Sequence, residues 1–190
     1  MFKIDKKEEP EFFKKFKIRS KPHNWSDYDY DSGIKKDLKS YMLEYEQNYY
    51  CPYCELKINV EESQVEHIKP KEKFPELMHE YSNYLTGCKS SKTCGQFKAN
   101  QWSEKFIDPT VEDPEEYFTY DIKTGKIIPK EKERLKVEKA DYTIKVLNLN
   151  DKRLCEIRKT FIEQNLKNME CLDYIDKFPS LKEYLKENFN

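Results

Sequence analysis

Four of the six cysteines constrain this chain more than any other feature of it. Cys51-Pro-Tyr-Cys54 is a C-x2-C pair, Cys88 and Cys94 form a second pair with five residues between them, and thirty-three residues separate the two. Two such knuckles can bring four thiolates around one ion, and four-coordinate sulfur is the ordinary shell of structural zinc. Nothing in the opening MFKIDKKEEPEFFKKFKIRSK resembles a secretory leader, and no apolar run is long enough to span a membrane. The expected compartment is therefore the cytoplasm, where thiols stay reduced and short cysteine spacings point to metal rather than to disulfides. A redox pair at Cys51 and Cys54 is a weaker reading, because the flanks lack the strand-then-helix pattern of such sites. Cys155 and Cys171 fall in helical patterns and read as ordinary buried residues.

Around this staple the hydrophobic pattern is that of an α+β chain. Ile34, Leu38, Tyr41, Met42 and Tyr45 recur at helical spacing and lead into Cys51. Gln64–Ile68 alternates as a short strand does, with Tyr84–Thr86 as its expected partner, and a helix is expected to begin near Cys94 and run through 95–103. Tyr117–Asp121 and Lys126–Ile128 flank a turn at Gly125 and read as a hairpin. Leu135, Ala140, Ile144 and Leu147 make one helical stripe, Leu154 to Met169 another, and a last helix follows Pro179. Residues 1–30 have only weak periodicity. Gly87 and Gly95, beside the second cysteine pair, are expected where the chain turns tightly. The expected organisation is an N-terminal helical extension over 1–48, a zinc-bearing core over 49–105, and a hairpin with C-terminal helices over 106–190, together one compact domain.

Charge excludes one class of partner-binding. The 35 basic and 36 acidic groups nearly cancel, so any grip on nucleic acid must come from a local patch. Lys69, Lys71, Lys73, Lys89, Lys92 and Lys98 are the candidates. Between the cysteine pairs lies Val65-Glu66-His67-Ile68-Lys69-Pro70-Lys71. A carboxylate and an imidazole in succession on a strand face opposite sides, so one can hold a metal while the other takes a proton. Trp25, Trp102 and the tyrosines Tyr49, Tyr50 and Tyr53 read as packing residues, the tyrosines around the knuckle. His79 reads as exposed, and His23 has no ligand partner near it.

CPYC, then VEHIKPK, then Tyr81-Ser-Asn83-Tyr-Leu85, then a cysteine pair followed by Lys98 and Asn100, resembles the HNH (ββα-metal) nucleases with a four-cysteine zinc site. The likeness extends through FIDPTVEDPEEYFTYDIKTGKIIP and ADYTIKVLNLNDKRLCEIR to HNH proteins paired with ATPases in Septu-type anti-phage systems, and covers residues 24–165. The resemblance implies a small ββα-metal core with four-cysteine zinc, embedded in a mostly helical domain that carries an extra β-hairpin. It implies hydrolysis of phosphodiester bonds in DNA, with RNA open to the same chemistry, and an ATPase partner subunit. It matches His67 to the general base, Glu66 to the acid that holds a catalytic Mg2+ or Mn2+, and Asn83 to the residue that braces the loop and orients the histidine; Lys98 is placed to meet a phosphate. The sequence departs from the family at Gly95, where Asn or His ordinarily supplies a further ligand, which leaves Gln96, Asn100 or water to take that place. A zinc-stapled module that binds nucleic acid or a partner without cutting is the alternative reading.

Overall fold

The helix that leads into the first knuckle is α2, Ile34–Tyr45, which buries Ile34, Leu38 and Met42 of the expected stripe together with Leu43, each side chain contributing about 2 kcal/mol by leaving water, whereas Tyr45 of that stripe is 57% exposed. The computed structural model describes residues 1–30 and 33–189. The side chains of Cys171 and Asp173 lie outside the described residues, so the expectation that Cys171 is buried falls outside them too. The elements run α1 (Glu11–Ser20), α2, β1 (Ser63–His67), β2 (Tyr84–Cys88), α3 (Cys94–Lys98), β3 (Phe118–Asp121), β4 (Lys126–Pro129), α4 (Arg134–Val146), α5 (Lys152–Asn165) and α6 (Pro179–Phe189), joined by single turns of 3-10 helix. This is the expected α+β architecture: two antiparallel hairpins set among helices.

β1 and β2 pair with Glu66 opposite Leu85 and His67 opposite Tyr84. Gln47, fully buried at the end of α2, extends this pairing: its amide donates to the carbonyls of Tyr50 (3.0 Å) and Thr86 (2.8 Å), and its Oε1 accepts from Thr86 N (2.8 Å). One buried side chain thus ties the helix, the first knuckle and β2 together, and satisfies backbone groups that a two-stranded sheet leaves open. The second hairpin, β3 with β4, turns at Gly125, whose φ of +68° favours glycine and whose missing Cβ would meet the Cys155 carbonyl at 2.2 Å. Arg158 fills the space behind it, donating to the carbonyls of Gly125 (2.7 Å) and Leu149 (2.6 Å).

Several expectations need correction. The weak periodicity of residues 1–30 conceals α1, which buries only Phe13 and Phe16. α3 stops at Lys98, because Ala99 takes φ 47° and ends the helix. Met169 is not on α5; it opens a separate 3-10 turn, Met169–Tyr174. Leu135 belongs to the stripe by spacing, yet is 66% exposed. Neither Gly87 nor Gly95 makes a tight turn: Gly87 sits within β2 and Gly95 within α3. The left-handed backbone at the knuckles falls on Glu55 (φ 62°) and Cys94 (φ 62°) instead. Tyr50 and Tyr53 pack as expected, whereas Tyr49 is 42% exposed. Cys155 is buried, as expected. Among the described residues no helix is long and apolar enough to cross a membrane.

Candidate active site and metal centre

The four knuckle cysteines meet. Cys51 N donates to Leu56 O (2.9 Å) and Glu55 N to Cys51 O (2.9 Å), closing the first knuckle. Cys94 N donates to Leu147 O (2.8 Å), which fixes the second knuckle to the end of α4. The sulfurs of Cys51, Cys54, Cys88 and Cys94 all lie within 4.8 Å of one another, with Cys51 and Cys94 at 3.9 Å. A tetrahedral ion with bonds of about 2.3 Å sets its sulfurs about 3.8 Å apart, so the cluster is compatible with a zinc site. Its electrostatics agree: Cys88, hydrogen-bonded by the other three, is pulled far below the usual thiol range, while hydrogen bonding among the four and burial push Cys54 and Cys94 up. Four sulfurs gathered in this way form a donor set that suits zinc.

Next to this staple, β1 delivers Glu66 and His67 to opposite sides. Glu66 reaches across to α3. Its carboxylate is buried, which pushes it above the usual carboxylate range despite the Lys98 ammonium beside it. Lys98 Nζ lies 3.0 Å from Oε1, an ion pair without hydrogen-bond alignment, so that oxygen is buried with no hydrogen-bond partner. Only 1% of Lys98 is exposed, and its ammonium also donates to the carbonyls of His67 (3.1 Å) and Ile68 (3.2 Å). Gly95 makes room for this arrangement. A Cβ at position 95 would stand 2.1 Å from Glu66 Oε2 and 2.4 Å from Cδ, so the carboxylate occupies the space that a side chain there would take.

His67 turns the other way. Its Nε2 lies 3.1 Å from the carbonyl of Met78. A carbonyl only accepts, so Nε2 carries the hydrogen and Nδ1 keeps its lone pair. Burial lowers the His67 pKa to about 4, leaving the ring neutral at ordinary pH. The same Met78 carbonyl accepts from Tyr84 Oη at 2.5 Å. The Asn83 side chain makes no hydrogen bond to His67. It braces the neighbouring backbone, accepting from Lys69 N (2.8 Å) and donating to Lys69 O (3.0 Å) and Leu77 O (3.3 Å). It thereby joins the chain after His67 to the turn that carries Met78.

Trp25 and Tyr28 are the contributors that sequence reasoning missed. The 3-10 turn Trp25–Asp29 is capped by Asp27, whose Oδ2 accepts from His23 N (2.7 Å) and Asn24 N (2.9 Å). It sets the Trp25 ring edge-on to His67, centroids 4.6 Å apart, and Trp25 lines the same cavity. Tyr28 Oη lies 2.8 Å from His79 Nδ1 and its ring stacks on that imidazole; His79 is therefore half-buried, not exposed as expected. Trp25-Ser-Asp-Tyr28-Asp-Tyr30 has no periodicity to signal this, and only its aromatic density could have drawn notice. The cavity, about 440 Å³, is lined by Glu66, His67 and Asn100 and by lysines from four separate segments. Asn100, exposed and donating its amide to Glu72 Oε2, shares the cavity with Glu66, whereas Gln96, likewise exposed, donates to Gln64 Oε1 (2.9 Å).

No protein-family model matches the chain. Comparison with curated proteins finds a protein named as the HNH endonuclease of retron Vc95 from Vibrio cholerae serotype O1 biovar El Tor, 38% identical over 140 residues. The alignment covers 70% of this chain and 66% of that protein. The chain belongs to this HNH endonuclease family. The protein named as the HNH endonuclease of retron Ec83 from Escherichia coli is 28% identical across 90% of this chain and 86% of its own length. Septu protein PtuB from Bacillus thuringiensis is 28% identical across 82% of this chain, which spans 56% of it. For both HNH retron proteins, endonuclease is an activity assigned by name. Family membership agrees with the resemblance read from CPYC, VEHIKPK and the second cysteine pair.

Proposed function

We propose that this chain is a metal-dependent HNH endonuclease that hydrolyses phosphodiester bonds, DNA before RNA, as the nuclease of an anti-phage defence complex. The observation that carries this reading is His67: a neutral imidazole with Nδ1 free to accept a proton, on the same cavity as a buried carboxylate one residue away. In this reading His67 takes the proton of the attacking water. Its ring is kept in one tautomer by Met78, shielded by Trp25, and carried at the end of β1, whose following loop Asn83 holds at Lys69 N and O. Glu66, with a buried oxygen lacking a hydrogen bond, is the residue that would hold a divalent ion, and Asn100 on the same cavity is the candidate to assist where Gly95 offers nothing. A bound Mg2+ or Mn2+ supplies charge neutralisation at the phosphate and the leaving oxygen. Lys98, expected from the sequence to meet a phosphate, has its ammonium engaged inside the fold, and here it holds Glu66 in place. The four cysteines would hold structural zinc, and their gathering into one cluster favours this over a two-thiol redox pair.

Cleavage of DNA and RNA by the purified chain with Mg2+ or Mn2+ tests the proposal, with His67→Ala as control. Loss of a general base costs about 10²- to 10⁴-fold. Equal cutting by the variant would remove His67 from the mechanism. The alternative, a binding module without catalysis, predicts nucleic-acid or partner binding and no divalent-dependent cleavage. The likeness to PtuB supports a defence partner subunit, and an ATPase is the partner we propose.

A further inference from the structure

Five lysines line the cavity beside Glu66 and His67: Lys35, Lys39, Lys71, Lys89 and Lys98. Four have their ammonium groups engaged by other groups of the protein. Lys35 pairs with Asp29 Oδ1 at 2.6 Å. Lys39 donates to the carbonyls of Val60 (2.5 Å) and Ser63 (3.1 Å). Lys89 donates to Glu61 O at 2.6 Å. Lys98 is held by Glu66 and two carbonyls. Lys71 makes no hydrogen bond and no ion pair with any described residue, although it is half-buried at the cavity wall.

Its position is not casual. Pro70 is buried, and its carbonyl accepts from Lys73 N (2.9 Å) and Phe74 N (3.0 Å). The backbone therefore turns directly after the loop that Asn83 braces, and residue 71 is fixed at that turn. Lys71 shares the wall of this cavity with Pro70, Glu66 and His67. A lysine at such a wall with no internal partner keeps its ammonium available to an anion entering the cavity.

We propose that Lys71 is the phosphate-binding cation of this site, contacting a backbone phosphate of the nucleic-acid substrate in the role that the sequence alone assigned to Lys98. The proposal rests on the nuclease reading of the same cavity. A lysine suits this task as a point charge on a flexible stem, able to follow the phosphate as charge builds on it.

The test uses the full chain in a His67→Ala background, so that bound nucleic acid is not cut. The probes are fluorescent duplex DNA and, separately, single-stranded RNA, titrated from low ionic strength upward. Lys71→Ala is expected to weaken binding about tenfold, the scale of one charged hydrogen bond. The slope of log K against log salt should shrink by about 0.9 on DNA and about 0.7 on RNA, the signature of one lost phosphate contact. Lys71→Arg should restore most of both, and Lys132→Ala, exposed and off the cavity, should change neither. Thermal unfolding of Lys71→Ala should match its parent, since Lys71 makes no internal bond. If the parent binds nucleic acid and Lys71→Ala binds it equally with the same salt slope, Lys71 is not the phosphate contact and the nuclease reading stands. A parent that binds neither probe, even at low salt, overturns both.

Discussion

Gly95→Ala is a small substitution with a large expected effect. Position 95 has no positive φ, so alanine meets no backbone obstacle, and in a helix alanine is favoured over glycine by about 1 kcal/mol. On propensity alone the variant should be more stable. The new Cβ, however, would stand 2.1 Å from Glu66 Oε2 and 2.4 Å from Cδ, where ordinary contact begins near 3.4 Å. The carboxylate must retreat by roughly 1 Å or more, a displacement that takes it out of its 3.0 Å pairing with Lys98. Lys98 is too deeply buried to find water instead. Disrupting a buried ion pair costs about 3–5 kcal/mol when one partner is removed. Displacement is gentler, and after the helix gain a net loss of about 1–3 kcal/mol is expected. The measurement is urea unfolding of wild type, Gly95→Ala, Glu66→Asp and the double variant. Aspartate is shorter by one methylene and withdraws the carboxylate from above position 95, so it should relieve the clash. The double variant is then expected to be at least about 1 kcal/mol more stable than the sum of the singles predicts. A Gly95→Ala chain that gains stability, with strictly additive singles, would refute the idea that the missing Cβ accommodates Glu66.

Three further outcomes are expected. Freshly purified, reduced protein should hold about one zinc per chain by metal analysis, and Cys54→Ser should lose it together with most of its stability, because such binding is coupled to folding; zinc-free native protein would exclude the staple. The folded His67 pKa of about 4 lies below its ordinary 6.5, so the unfolded chain takes up a proton first as pH falls, and stability present above pH 6.5 is lost between about 6.5 and 4, by up to about 3 kcal/mol. His67→Gln should lack that part of the acid loss in pH-dependent denaturation, while the opposing contribution of Glu66 remains in both proteins. Finally, with a net charge of only −1, the isolated chain should bind DNA weakly at moderate salt and cut slowly until its partner subunit is added; a fast, tightly binding isolated nuclease would refute the need for that subunit.

Much of the local structure was legible because it is written in short-range patterns. The α2 stripe, the strand around Glu66 and His67, and the hairpin turning at Gly125 all follow from periodicity and turn chemistry, and each lies close to where the pattern set it. The two cysteine pairs foretold a meeting of four thiols because only a shared ion makes such spacing useful. Family membership was legible for the same reason, since its motif is a run of neighbouring residues from CPYC to Cys94.

What the residues do to one another was not legible. Nothing in Lys71 and Lys98 as letters distinguishes them, and the sequence pointed to Lys98 for a phosphate. Folding buries Lys98 against a carboxylate and two carbonyls and leaves Lys71 at the cavity wall without a partner. Trp25 reaches His67 across forty residues of chain through an aperiodic turn. Gly95, which looks in sequence like a lost ligand, proves in space to be the room that a longer acid fills. Sequence by itself determined which groups are present and which short elements carry them, because those depend on neighbours within a turn or two. Only the tertiary structure decided which charges are paired and which ring shields the base, because burial and contact between distant segments set the cost of leaving a polar group alone.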